Sequence, residues 1–212
     1  MLFRSGALRK LKKKLTFTES ETLNQTAKLA AKAQRAEAVR VFDRPTTYLQ
    51  MALFNPRKKL GFTGIPSKFN TLKVEIIPGG PGGRFRATGL RVQEVLRLEV
   101  LGGTKNPTKR AIPVPVAGNA RYNKFGGIPR SYIKNLLAKR DHVSLGPNQG
   151  LPPGIYQRVG RGQLKMIVAW EPRAQYAPVF RFHQVAEGVA DREFQKVFRR
   201  EFRREMKELL FR

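Results

Sequence analysis

Two histidines, 15 carboxylates and no cysteine set narrow limits on what this chain of 212 residues catalyses. Disulfides, thiolate metal sites and cysteine nucleophiles are excluded outright. His142 and His183 stand far apart, which argues against a histidine-rich metal site. Residues 55–165 hold only the acids Glu75, Glu94, Glu99 and Asp141, and their spacing suggests no pair for acid–base work. Ser131, His142 and Asp141 have the types of a nucleophilic triad. Adjacent aspartate and histidine side chains do not usually face each other, however, and no Gly-x-Ser-x-Gly elbow exists. The glycine-rich run Gly79-Gly80-Pro81-Gly82-Gly83 is followed by Arg84-Phe85, not by the Lys-Ser/Thr pair a phosphate-binding loop needs. His183, between Phe182 and Gln184, reads as a packed or interface residue. The expectation is a non-enzymatic protein with no catalytic residues, cofactor, metal or small-molecule substrate.

What the chain does carry is positive charge. There are 42 Lys+Arg against 15 Asp+Glu, a formal net charge of +27. Solubility alone asks for a net charge of about 2 to 8, so the excess implies a polyanion, most commonly nucleic acid. A charge of +27 matches at most roughly 45 Å of duplex DNA. The cations proposed to meet phosphate or an acidic partner are Lys12, Lys13, Lys14, Arg57, Lys58, Lys59, Arg84, Arg86, Arg161, Arg199, Arg200, Arg203 and Arg204; each reads equally as a solvated charge. No recognition-helix motif or zinc finger suggests base readout. No apolar run approaches the 18 or so residues that span a membrane, so no membrane partner is expected.

The elements that must position these groups follow from periodicity. Residues 1–18 hold six cations and no acid, and read as a basic arm, a presequence-like segment or a solvated charge run. Residues 19–212 are expected to form a single domain. Thr18-Glu19-Ser20-Glu21 predicts a capping box opening a helix over 19–40, alanine-rich and suited to close approach of a neighbour. Pro45 forces Arg44 out of helical geometry, with Asp43 and Arg44 fixing the turn. Residues 54–70 read as a loop and 72–77 as a half-buried strand. Residues 87–101 fit helix or strand. Ala111-Ile112-Pro113-Val114-Pro115-Val116 must be extended, on an edge or irregular, because two prolines forbid a helix interior. Pro129 suits the first position of a short helix over 130–140. Residues 155–159 and 164–170 read as a hairpin across Gly160-Arg161-Gly162. A long basic helix closes the chain from about 182 to 210, with Phe194, Phe198, Phe202 and Met206 as its core stripe. The sum is an α+β fold, helices packed on a small, largely antiparallel sheet; no internal repeat is present.

Four segments in order resemble the phage minor tail protein Z family, the tail completion proteins. Thr22-Leu23-Asn24-Gln25-Thr26-Ala27, followed by Val41-Phe42-Asp43-Arg44-Pro45-Thr46-Thr47-Tyr48, is similar to the family's opening helix and its "VFDRPTPYT" segment. Leu101-Gly102-Gly103 with Lys109-Arg110-Ala111-Ile112-Pro113-Val114-Pro115 is the second match, and Asn123-Lys124-Phe125-Gly126-Gly127-Ile128-Pro129 the third. The fourth runs from Gly150-Leu151-Pro152-Pro153-Gly154-Ile155-Tyr156-Gln157-Arg158 to Tyr176-Ala177-Pro178-Val179-Phe180-Arg181-Phe182, before a basic, Phe-bearing terminal helix. Thr47 and Gly127 depart from the family's usual proline and asparagine, which affects local turn geometry.

The resemblance covers most of the chain from about residue 20 onward. It implies a structural virion protein of the bacteriophage neck, related to tail-terminator and neck-ring proteins. Such a subunit assembles with itself, commonly as a hexameric ring, at the head–tail connector. It would touch other neck and tail proteins and surround the packaged double-stranded DNA through phosphate contacts. Its place would be the virion, after assembly in the host cytoplasm. A ribosomal or other sequence-independent RNA-binding protein is the alternative that the charge and the Gly/Pro-rich loops equally suit, although no RNP1-type or GXXG signature supports it.

Overall fold

The computed structural model describes residues 5–45, 47–53, 64–80, 91–107, 110–129 and 131–210. In chain order the elements are α1 (Ser5–Val41), α2 (Thr47–Leu53), β1 (Gly64–Ile65), β2 (Glu75–Ile76), α3 (Val92–Leu101), β3 (Gly103–Lys105) and β4 (Ile112–Pro115). They continue with α4 (Tyr132–Leu137), β5 (His142–Leu145), β6 (Gly154–Arg158), β7 (Leu164–Glu171), β8 (Ala174–Tyr176) and α5 (Phe182–Leu210). This is an α+β fold with antiparallel strand pairing and a long C-terminal helix. The chain gathers into two compact units, Met1–Val100 with Val179–Arg212, and Leu101–Pro178.

The first unit is built on α1 and α5, which pack antiparallel along much of their length. Lys14 meets Glu205 near one end, and Gln34 donates to the Phe182 carbonyl at 2.9 Å near the other. The buried face of α1 is small and polar: Thr18, Thr22, Thr26, Ala30, Gln34 and Ala38, recurring every four residues. Small side chains let two backbones approach, and alanine favours the helix. The Thr18 and Thr22 hydroxyls donate back to the Lys14 and Thr18 carbonyls at 2.9 and 2.7 Å, which satisfies them without a partner across the interface. A second face of α1 buries Ala27 and Ala31 under Val74 and Ile76. The apolar core of this unit collects Ala38, Ala52, Leu53, Val92, Leu96 and Phe180. Phe180 stands edge-on to Phe42 and Phe182, with centroids 5.5 and 5.7 Å away.

Three expectations change here. Thr18 is not a cap: α1 is one continuous helix from Ser5, so residues 5–18 are its first turns and not a separate arm. The leucines and lysines of that stretch favour helix, and its attachment to α5 through Lys14 supplies the tertiary support that a short basic helix lacks. The strand over 72–77 shrinks to Glu75–Ile76, whose pairing among the described residues is with Gly64–Ile65. The helix-or-strand alternative over 87–101 settles as helix for Val92–Leu101, with 87–90 outside the described residues. Arg44 does leave helical geometry before Pro45, with φ of 49° and its guanidinium on Asp43.

The second unit centres on a four-stranded sheet of order β4-β7-β6-β5. Leu136, Ile155, Ile167 and Val168 form its core, with Tyr132 and Ile133 of α4 packed on them. α4 is shorter than the predicted 130–140. The β6–β7 hairpin forms as its sequence predicts, with Gly162 at φ of 76° in the turn. β4 lies on the edge, as its prolines demand. Val116 donates to the Ile167 carbonyl at 3.0 Å. The alternation of a strand then turns the backbone N–H groups of Val114 and Ile112 toward β7 as well, and leaves the nitrogens of Pro113 and Pro115, which have no N–H, on the unpaired edge.

Candidate nucleic-acid interface

Helix α5 presents three kinds of surface, because residues four apart share a face and neighbours are about 100° apart. The buried line is Val189, Val197, Glu201 and Glu205, turned toward α1. Phe194, Phe198, Phe202 and Met206 each lie one position further round. They are not the core: Phe194 is exposed and the other three are half-buried. This corrects the predicted core stripe. Periodicity finds an apolar line but cannot say which of two neighbouring lines faces inward when the inner one carries glutamates.

The remaining arc is cationic. Lys196, Arg199, Arg200, Arg203, Arg204 and Lys207 line an open depression of about 580 Å³. Arg204 also borders a second depression of about 750 Å³, shared with Lys10, Lys13, Lys14, Phe17, Glu205 and Glu208. Arg204 is the residue the two depressions share, so cations of α5 and of the first turns of α1 border adjoining hollows, with Glu205, Glu208 and Phe17 between them.

Its cations are not equivalent. Lys14 is half-buried and reaches Glu205 at 2.5 Å and Glu208 at 3.0 Å; these carboxylate hydrogen bonds hold its pKa above the ordinary lysine value. Arg204 holds Glu201 at 2.6 Å and Glu205 at 3.4 Å, while Arg200 bonds Glu201 at 3.1 Å and also Gln25. These three neutralise buried carboxylates, which would otherwise be costly. Lys12, Lys13, Arg199 and Arg203 are exposed and make no ion pair among the described residues. Lys10 and Lys207 are likewise exposed and without an ion pair among the described residues, so these are cations available to a polyanion.

Of the other predicted contacts, Arg161 is exposed at the β6–β7 turn, in the second unit. Arg57, Lys58, Lys59, Arg84 and Arg86 lie outside the described residues. Lys10, Lys196 and Lys207 were not singled out by sequence, although Lys196 and Lys207 stand at helical spacing from Arg199, Arg200 and Arg203.

One pairing that adjacency argued against does form. His142 Nδ1 lies 2.8 Å from Asp141 Oδ1, and Gln157 donates to the other oxygen at 3.1 Å. Both bonds, that from His142 foremost, lower the Asp141 pKa. The strand start at His142 turns both side chains to one side, where Gln157 of β6 waits. Ser131 Oγ instead takes a long 3.5 Å hydrogen bond from Asn135 in the same helical turn. His183 is exposed, its ring edge-on to Phe182. Among the described residues no group of three or more His, Cys, Asp or Glu is placed to hold a metal ion, and no helix is long and apolar enough to cross a membrane.

Comparison of the chain with protein-family models, with curated proteins and with solved structures gave no match.

Proposed function

We propose that the chain is a structural, non-enzymatic subunit of a bacteriophage neck or tail-completion ring. In this reading the outward face of α5 and the first turns of α1 meet the phosphates of passing duplex DNA. The observation that carries it is the pair of adjoining cation-lined depressions, in which Lys13, Arg199 and Arg203 are exposed and make no ion pair among the described residues. The four ordered sequence resemblances add the ring and the virion. The arithmetic favours a ring over a lone binder. Lys196 to Lys207 spans about 16 Å of helix, beside which a duplex carries about ten charges. Six cations line that span, two of them engaged by buried glutamates. One subunit thus neutralises only a few phosphates, a weak and salt-sensitive contact, whereas several around one duplex multiply it.

The test is solution mass by light scattering, with duplex DNA titrated at several salt concentrations. A ring-sized species whose DNA affinity falls linearly on a log–log salt plot supports the proposal. A strict monomer that prefers structured RNA over duplex DNA would instead favour the RNA-binding alternative.

A further inference from the structure

We propose that the aromatic ridge of α5 is a docking seam for an acidic, amphipathic helix of another protein. Phe194, Phe198, Phe202 and Met206 stand four residues apart, a line of about 18 Å along the helix. The Phe198 and Phe202 rings stack, with centroids 5.9 Å apart and planes 17° from parallel. Phe194 keeps 37% of its surface exposed. Single exposed apolar residues are ordinary. A ridge with anchors at i, i+4 and i+8 is the pattern by which one helix lies against another. It is not the line that faces α1, which is Val197, Glu201 and Glu205, and its side chains stay half-buried or exposed among the described residues.

The charge around the ridge selects the occupant. Arg199 and Arg203 follow Phe198 and Phe202 directly, and both are exposed without an ion pair among the described residues. A second copy laid on this seam would set cation against cation, which a net charge of +27 makes worse. Residues 54–63 and 81–90 carry cations and no acid, so they bring no opposite charge to Arg199 and Arg203. Apolar anchors facing the ridge and carboxylates flanking them are therefore what the partner must bring. The aromatic ridge is separate from the proposed phosphate contacts, whereas its flanking Arg199 and Arg203 are shared with them.

The probe is a fluorescein-labelled synthetic helix of about 20 residues, leucine on one face and glutamate on the other, beside a counterpart with glutamine for glutamate. Anisotropy is read on the full chain at physiological salt. The glutamate peptide binds, the glutamine one binds at least about tenfold more weakly, and Phe194→Ser with Phe198→Ser costs about another tenfold. Duplex DNA affinity stays unchanged in that variant. Phe194→Ser alone, at the most exposed ring, gives a smaller loss with unchanged circular dichroism, which guards against unfolding. Failure of the glutamate peptide to bind, equal binding by the ridge variants, or equal binding of the two peptides overturns the proposal. Failure of the unaltered chain to bind duplex DNA while it binds the glutamate peptide would count against the phosphate reading alone.

Discussion

The Lys14 ammonium and the Glu205 carboxylate, 191 residues apart in sequence, lie 2.5 Å from each other. The contact ties the first turns of α1 to the last turns of α5, with Glu208 as a second acceptor at 3.0 Å. Lys14 is thus a structural cation among neighbours that are solvated. Lys13→Met, at an exposed position, should leave the melting temperature within about 2 °C of the parent. Lys14→Met should lower it further, because among the described residues the buried Glu205 then keeps Arg204 alone. Since the folded pKa of Lys14 is raised above 10.5, its contribution is fully present below that pH and is lost as pH rises through the folded value. Thermal melts of both variants at neutral and strongly alkaline pH check this; equal melting temperatures at neutral pH refute it.

Glu37 sets the opposite limb. It accepts two hydrogen bonds from Arg40, at 2.7 and 2.9 Å, and lies 3.7 Å from Arg181 at the start of α5. The Arg40 hydrogen bonds foremost hold its carboxyl below the ordinary value of 4.5. A depressed carboxylate stabilises the fold above its unfolded pKa and stops doing so as pH falls through the folded one. Glu37→Gln should therefore reduce stability at neutral pH and flatten its decline below about pH 4.5. Denaturant titrations across that window give the answer.

Gly154 leads into β6 where a Cβ would stand 2.5 Å from the Val168 carbonyl oxygen, a backbone atom that cannot step aside. Gly154→Ala should cost about 1–3 kcal/mol through forced displacement of the β6–β7 pairing. Gly6→Ala is the control: nothing lies within 4 Å of its added methyl, and it sits within α1. That change should be neutral or stabilise by up to about 1 kcal/mol. Equal stability of the two variants in urea unfolding would contradict the geometry.

Much of this architecture was legible in the sequence because local signals were strong. Proline placed β4 on an edge, glycine placed the β6–β7 turn, and the 3.6-residue period placed α5. What escaped depended on partners far along the chain. The basic start of α1 looked like a separate arm because its stabilising acids, Glu205 and Glu208, belong to the last helix. The capping pattern at Thr18 was genuine as a pattern, but residues 5–17 continue the helix above it and its hydroxyl turned to the Lys14 carbonyl. Hydrophobicity alone ranks the phenylalanines above Glu201 as core, whereas Glu201 is buried with its charge answered by Arg200 and Arg204. The same blindness affected the cations: composition counts Lys14 and Arg203 alike, and only geometry separates the engaged from the free.

That separation yields the sharpest check on the proposed interface. Each phosphate contact removed should lower the slope of log affinity against log salt by about 1. Arg199→Gln and Arg203→Gln remove cations that hold no carboxylate, so each should reduce duplex affinity at low salt and take about one unit from the slope, whatever the DNA sequence. Arg204→Gln removes a cation already spent on Glu201 and Glu205. It should unpair buried acids and lower stability, with a smaller change in slope. Affinities measured by anisotropy over a salt series distinguish the cases. If Arg204→Gln alters the slope as much as Arg199→Gln, or if neither outward arginine alters it, the face of α5 is not where the phosphates lie.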